Sequence, residues 1–191
     1  RQAFESQAEA MIEAAAMQGR ALLLAYLDLD GFKSVNDHHG HEAGDLVLKR
    51  FGIEGRAALR REDCCGRMGG DEFALLVPLA SIEEAQATAE GLHRRFTAAL
   101  ALTAHEVTCS MGALASAPDR GADLDELMRE ADRLMYAAKN AGKNGLRFSA
   151  SAPPLDAELP LFADEGAASP ASSRPILKPP LGDAPEVAGA G

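Results

Sequence analysis

Long apolar runs, a secretory leader and an excess of basic charge are all missing from this 191-residue chain, and cysteine is scarce. No apolar stretch reaches the roughly 18 residues that a membrane-crossing helix needs, and the amino-terminal segment lacks the charged start and apolar core of a signal peptide. The chain itself is therefore expected to make no membrane contact. Lys and Arg number 19 against 29 Asp and Glu, a formal net charge of −10. Nucleic-acid backbones and anionic bilayers reward the opposite balance, so neither is the expected partner. A nucleotide stays open, because one bound cation reverses the sign locally. Three cysteines, Cys64, Cys65 and Cys109, make neither a disulfide framework nor a zinc spacing. They read as reduced thiols of a cytoplasmic protein.

What is present suits one domain: the length is right, and 47% hydrophobic content is ordinary for a globular core. Phe4, Ala8, Met11, Ile12 and Ala15 recur at helical spacing up to Gly19, which predicts an amphipathic helix over 3–18. Residues 21–27 are a near-continuous apolar run of strand length, consistent with a central strand covered on both faces, and they deliver Asp28 to the strand's carboxyl end. Residues 42–59 read as helix, with Gly52 and Gly55 each costing about 1 kcal/mol against Ala. Gly69-Gly70 is read as a two-residue turn joining a strand that ends near Met68 to the strand 73–77. Ser81 with Glu84 predicts a capping box for a helix that ends near Leu100 and buries Ala85, Leu92 and Phe96. A strand over 107–113 follows. Asp123 with Glu126 caps a further helix whose apolar stripe runs from Leu124 to Ala138, and Leu146-Arg147-Phe148 reads as a short last strand. Eight of the ten prolines lie beyond residue 150, among Ala, Gly and Ser without periodicity, so 150–191 is expected to be a disordered tail or linker to a domain spanning 1–149. The order α-β-α-β-β-α-β-α-β defines an α/β (α+β) sandwich of ferredoxin-like or nucleotidyl-cyclase type, a mostly antiparallel sheet flanked by helices.

The chemistry gathers on one stretch, Arg67-Met68-Gly69-Gly70-Asp71-Glu72-Phe73, a tight turn that carries two carboxylates and lets a bulky ligand approach its backbone. Asp28 and Asp71, on neighbouring strand ends, supply the hard oxygens of a Mg²⁺ site whose other positions phosphate and water fill. An EF-hand also begins Asp-x-Asp-Gly, but Phe32 falls where its third ligand belongs, Lys33 on its glycine and His39 on its bidentate Glu. The loop Gly31-Phe32-Lys33 follows a strand and enters a helix-like segment, so its backbone N–H groups can face phosphate oxygens, with Lys33 adding a mobile charge.

Gly69 to Phe73 spell the signature of GGDEF domains, the diguanylate cyclases, and the chain resembles that family at two more places. Residues Asp28 to Asp45 (DLDGFKSVNDHHGHEAGD) are similar to its second signature and Ala131 to Asn144 to its third, in the same order. The resemblance implies that Asp28, the Leu29 carbonyl and Asp71 hold Mg²⁺, with Mn²⁺ a possible substitute. It assigns Lys33 to the transition state at the α-phosphate, and Lys139 and Lys143 to the outer phosphates. The resemblance places Glu72 beside the metal as a candidate to deprotonate the attacking 3′-hydroxyl; another carboxylate, and the metal's lowering of the hydroxyl pKa alone, are the alternatives. Asn36 and Asp45 match guanine-reading positions, which suits a base that offers N1–H and N2–H₂ beside O6, and His41 matches another substrate contact. Family variants that accept ATP carry a smaller residue at the counterpart of Asp45, so its presence favours GTP. Arg60 and Asp63, with five residues between Asp63 and Gly69, match an RxxD product-inhibition site for cyclic di-GMP.

The implied activity is condensation of two GTP into cyclic di-GMP and two pyrophosphates by an antiparallel homodimer. The alternatives are a catalytically silent cyclic di-GMP receptor and a GTP-binding regulatory module of a larger signalling protein. A leader that precedes the first helix in the family is missing here except for its last letters in Arg1-Gln2-Ala3-Phe4. A longer parent is therefore expected, with a sensory or receiver part upstream and room there for a membrane anchor.

Overall fold

Successive side chains of the first strand enter two different cores, and that alternation organises the molecule. The computed structural model describes residues 1–117 and 123–150. Strand β1 (Ala21–Asp30) sends Leu23, Ala25, Leu27 and Leu29 to one side and Leu22 and Leu24 to the other. It lies at the middle of a five-stranded sheet with β2 (Cys64–Gly69), β3 (Glu72–Leu79), β4 (Thr108–Ser116) and β5 (Leu146–Ser149), in the order β2-β3-β1-β4-β5. All neighbours are antiparallel except β4 and β5, which run parallel. Apolar side chains on both faces are what a strand buried between two helical layers requires, and the mostly antiparallel sheet agrees with the sequence reading.

Among the described residues, five helices cover the sheet: α1 (Gln2–Gln18), α2 (Phe32–His39), α3 (His41–Ala58), α4 (Ala85–Ala101) and α5 (Leu124–Asn140). Phe32, Val35, Val47, Phe51, Leu92 and Phe96 bring α2, α3 and α4 to one face. Ring contacts join three elements there, with the Phe51 centroid 4.7 Å from Phe73 and 5.2 Å from Phe96. Phe4, Ala8, Leu124, Leu127 and Ala131 bring α1 and α5 to the other. On that side α5 lies so close to β4 that a Cβ on Gly112 would fall on the Ala131 carbonyl oxygen and the Met135 nitrogen.

Several boundaries differ from those expected. Strand β1 runs on to Asp30, so Asp28 lies inside it, in register with Glu72 on one side and Ser110 on the other. The segment before α3 is a helix of its own, α2, divided from α3 by Gly40 at φ 82°. The capping box at Ser81 does not form: Ile82–Glu84 make a single 3₁₀ turn, α4 begins only at Ala85, and no side chain caps it. Asp123 does cap α5, accepting the Glu126 N–H at 3.0 Å. Cys64 and Cys109 are buried free thiols, and burial pushes Cys64 up to about 11. The expected tail lies outside the described residues apart from Ala150, and among the described residues no helix is long and apolar enough to cross a membrane.

The two glycines make opposite predictions. A Cβ on Gly52 in α3 meets nothing within 4 Å, so Gly52→Ala should stabilise by about 0.5–1 kcal/mol through helix propensity. Gly112→Ala should cost about 3 kcal/mol, because the obstruction is backbone. Urea unfolding followed by circular dichroism measures both, and a neutral Gly112→Ala would contradict the packing described.

Candidate functional site

At its carboxyl end the α5-facing side of β1 changes from apolar to polar: Leu22 and Leu24 give way to Tyr26, Asp28 and Asp30. Asp28 is only 5% exposed, and its Oδ2 lies 2.6 Å from Lys139 Nζ at the end of α5. Burial raises the Asp28 carboxyl above the ordinary range. The Lys139 hydrogen bond and charge pull it back, while the charges of Asp71 and Asp30 push it further up. Opposite Asp28 on β3 stands Glu72, whose Oε2 accepts the Tyr26 hydroxyl at 3.2 Å. The Asp71 carbonyl accepts the Leu29 N–H at 3.1 Å, which ties the hairpin to β1 where Asp28 emerges.

The hairpin turn is Gly70-Asp71 and not Gly69-Gly70. Gly69 pairs with Glu72 as the last residue of β2, and the register shifts between Arg67 and Gly69, leaving Met68 as an extra residue in the strand. Arg67 fastens this arrangement by donating from Nε to the Gly70 carbonyl at 2.8 Å and from Nη2 at 2.5 Å. Gly70 takes φ 30°, and Asp71 stands at the tip, half-buried. The bulge, which alternation of residue types did not reveal, is what moves the first acid of the signature into the turn and leaves the second in the strand.

Beyond β1, Gly31 (φ 81°) begins α2 without a side-chain cap, and a Cβ there would lie 2.9 Å from the Glu106 carbonyl. Phe32 is 7% exposed and belongs to the core, so only its backbone N–H is free to face a ligand, whereas Lys33 is exposed on the first turn of α2. Asn36, also on α2, presses its amide against α3 so closely that a Cβ on Gly44 would collide with its Oδ1. Asp45 follows directly on α3 and His41 opens that helix, both exposed. Asn36 and Asp45 thus share the α2–α3 corner. The His39 ring lies 4.6 Å from that of His105.

Lys143 sits just past α5, exposed, with φ 63°, followed by Asn144 at φ 45°. One residue missed as a site candidate holds this turn. Asp30, 6% exposed, accepts Thr108 Oγ1 (2.8 Å), Ser110 Oγ (2.8 and 2.9 Å) and the Asn144 N–H (3.0 Å). Its signal in the sequence was a second acid in step with Tyr26 and Asp28.

Arg60 and Asp63 form a separate corner ahead of β2. The Arg60 N–H donates to Asp63 Oδ2 at 2.7 Å, and Arg60, Arg61 and Glu62 line an open depression. Asp63 Oδ1 is buried without a hydrogen-bond partner among the described residues, and burial raises this carboxyl despite Arg60.

As a cation site, the β1 end offers two carboxylates, Asp28 and Asp71, and the Leu29 carbonyl. Among the described residues no group of three or more His, Cys, Asp or Glu side chains is placed to hold a metal. Two acids with mutually unfavourable charges fit a hard divalent ion that takes its other oxygens from a ligand.

Comparison with known proteins shows the family of the fold that carries these residues. The family model described as diguanylate cyclase, GGDEF domain, matches residues 1–145. The bifunctional diguanylate cyclase/cyclic di-GMP phosphodiesterase MucR of Pseudomonas aeruginosa is 38% identical over 149 residues, 78% of this chain and 22% of that protein. Diguanylate cyclase DgcP of the same organism is 39% identical over 131 residues, 67% of this chain and 19% of that one. The crystal structure of the GGDEF domain of DgcB from Caulobacter crescentus, in complex with c-di-GMP, superposes with a TM-score of 0.68 at 26% identity, covering 78% of this chain and 89% of that one. The chain belongs to the GGDEF, diguanylate cyclase, family. It spans about a fifth of the length of these two curated relatives.

Burial, reinforced by the charge and hydrogen bond of Glu72, pushes the Tyr26 phenol from an ordinary 10 up to about 12. Because the folded value is the higher one, the associated stability is complete below pH 10 and is lost as pH rises through 12. The phenolate absorbance of the folded protein should show one of its two tyrosines ionising near pH 12. In Glu72→Gln that value should fall toward 10; an unchanged titration would mean that the Tyr26–Glu72 contact is not made in solution.

Proposed function

We propose that this domain condenses two molecules of GTP into cyclic di-GMP with release of two pyrophosphates. The observation that carries the reading is the buried Asp28 on the central strand, held by Lys139 and joined by the Asp71 turn through Leu29. Asp28, Asp71 and the Leu29 carbonyl would hold Mg²⁺ or Mn²⁺ at the triphosphate. The bound ion supplies charge neutralisation and a lowered pKa for the 3′-hydroxyl. Lys139 neutralises Asp28, and with Lys143 it would serve the outer phosphates. The first-turn amides of α2 donate to phosphate oxygens.

In the reaction the 3′-oxygen of one GTP forms a bond to the α-phosphorus of the other as the α–β bridging bond breaks and pyrophosphate leaves. Lys33 balances charge at the α-phosphate. Glu72, oriented by Tyr26, accepts the hydroxyl proton and passes it to solvent. Asn36 and Asp45 read the guanine edge, with His41 beside them, and the Gly69-Gly70 backbone leaves room for the nucleotide. One domain holds one GTP, so each nucleotide meets its partner only across an antiparallel homodimer, and most of the acceleration is positioning and electrostatics. The remainder of a longer protein, a sensory or receiver domain, would control that pairing. Product returns to Arg60 and Asp63, where the unpartnered Asp63 oxygen supports a site for guanine N–H donors.

Incubation with GTP and Mg²⁺, with chromatography of the products, tests this. Cyclic di-GMP should form at a rate rising with about the square of protein concentration while dimers are scarce. Asp71→Ala and Asp28→Asn should each lower it by about 100-fold or more. Binding of cyclic di-GMP with no turnover at any concentration would leave the receptor as the function.

A further inference from the structure

We propose that Asp30 is a positioning residue for the phosphate-facing lysines, acting through the turn that carries Lys143; the inference rests on the functional reading given above. Asp28 and Asp30 are two residues apart on the same face of β1, and both reach the carboxyl-terminal third of the chain. Asp28 meets Lys139. Asp30 meets Asn144, five residues on. Between them lies the turn Ala141 to Asn144.

Asp30 is nearly fully buried, and its hydrogen bonds come from neutral donors alone: two hydroxyls of β4 and one peptide N–H. A buried carboxylate is tolerable on such terms only when both oxygens are satisfied, and here both are. The hydroxyls of Thr108 and Ser110 can rotate to donate or accept; the Asn144 N–H can only donate. An acceptor at position 30 is therefore required by the backbone of residue 144, whereas the β4 contacts would adjust to a donor.

That peptide matters because Lys143 and Asn144 are consecutive side-chain-bearing residues at positive φ, a conformation disfavoured for each. The turn is tied at both ends. On the helix side the Lys143 N–H donates to the Ala138 and Lys139 carbonyls, both at 3.2 Å. On the sheet side Asp30 takes the Asn144 N–H, and the Met111 N–H takes the Gly145 carbonyl at 2.8 Å. The direction in which Lys143 leaves the backbone, relative to Lys139 on Asp28, thus depends on Asp30. Asp30 itself is turned toward β4 and this turn and touches no reacting atom.

The test is steady-state kinetics on the domain with GTP and Mg²⁺ in a double-mutant cycle of Asp30→Ala and Lys143→Ala, with Asp30→Asn alongside. Asp30→Ala leaves the Asn144 N–H without its acceptor and should raise KM for GTP about tenfold with kcat changed less than about threefold, since outer-phosphate binding is what it disturbs. Asp30→Asn keeps an acceptor oxygen for that N–H and should stay within about twofold of the wild-type KM. Lys143→Ala should raise KM by a factor similar to that of Asp30→Ala in the wild-type background and by less than about twofold in Asp30→Ala, because both remove the same interaction. Independent factors that multiply, a KM unaltered in Asp30→Ala, or an Asp30→Asn as impaired as Asp30→Ala, would overturn the proposal. Should Asp30→Ala fail to fold, Thr108→Val removes a single donor to the same carboxylate, and its smaller KM effect should likewise vanish in Lys143→Ala. A wild-type domain that neither turns over nor binds GTP by calorimetry would overturn the functional reading itself; a wild-type domain that is active with a multiplicative cycle would overturn the role of Asp30 alone.

Discussion

Two carboxylates lodged in the centre of a sheet, each about one-twentieth exposed, are the constraint on which the rest of this structure depends. A buried charge is tolerated only when it is paired or fully hydrogen-bonded. Asp28 is paired by a lysine from the end of α5, and Asp30 is satisfied by two β4 hydroxyls and a backbone amide beyond α5. The carboxyl-terminal helix must therefore arrive at one place and one height against β1. Gly112 makes this possible, because any larger residue would hold α5 off the sheet.

On the function proposed above, the same requirement explains how an acidic chain would present a site for an anionic ligand. With net charge −10 the protein as a whole repels a nucleoside triphosphate. The carboxylates at the β1 end are buried and partly neutralised by Lys139, while Lys33 and Lys143 stand exposed near the two helix ends. A divalent cation placed on Asp28 and Asp71 would complete the reversal of sign. The hairpin contributes by geometry as much as by charge: its bulge and the Arg67 clamp on Gly70 put Asp71 at the tip, and the Leu29 N–H holds that tip against the strand.

Much of this was legible before any coordinates. The run 21–27 announced a strand buried on both faces, the stripe from Leu124 to Ala138 announced α5, and Asp123 was recognisable as its cap, because these signals are local and follow the periods of strand and helix. The three signatures identified the family and most of the candidate site. The turn was misplaced by one residue because Gly69-Gly70 satisfies the rules for a two-residue turn as well as Gly70-Asp71 does, and a strand bulge leaves little mark on residue type. Ser81 and Glu84 carried the letters of a capping box, but the chain there entered a 3₁₀ turn first.

Which side chains are available, and on which face of each element they lie, follows from residue order alone, since alternation and helical periodicity are properties of the local chain. Which of them meet is set by the packing of distant elements. Asp28 and Lys139 are more than a hundred residues apart, as are Asp30 and Asn144, and no local propensity links them. Their encounter follows from the strand order that places β1 between β3 and β4 and from the close packing of α5 over Gly112, and burial then makes each contact obligatory.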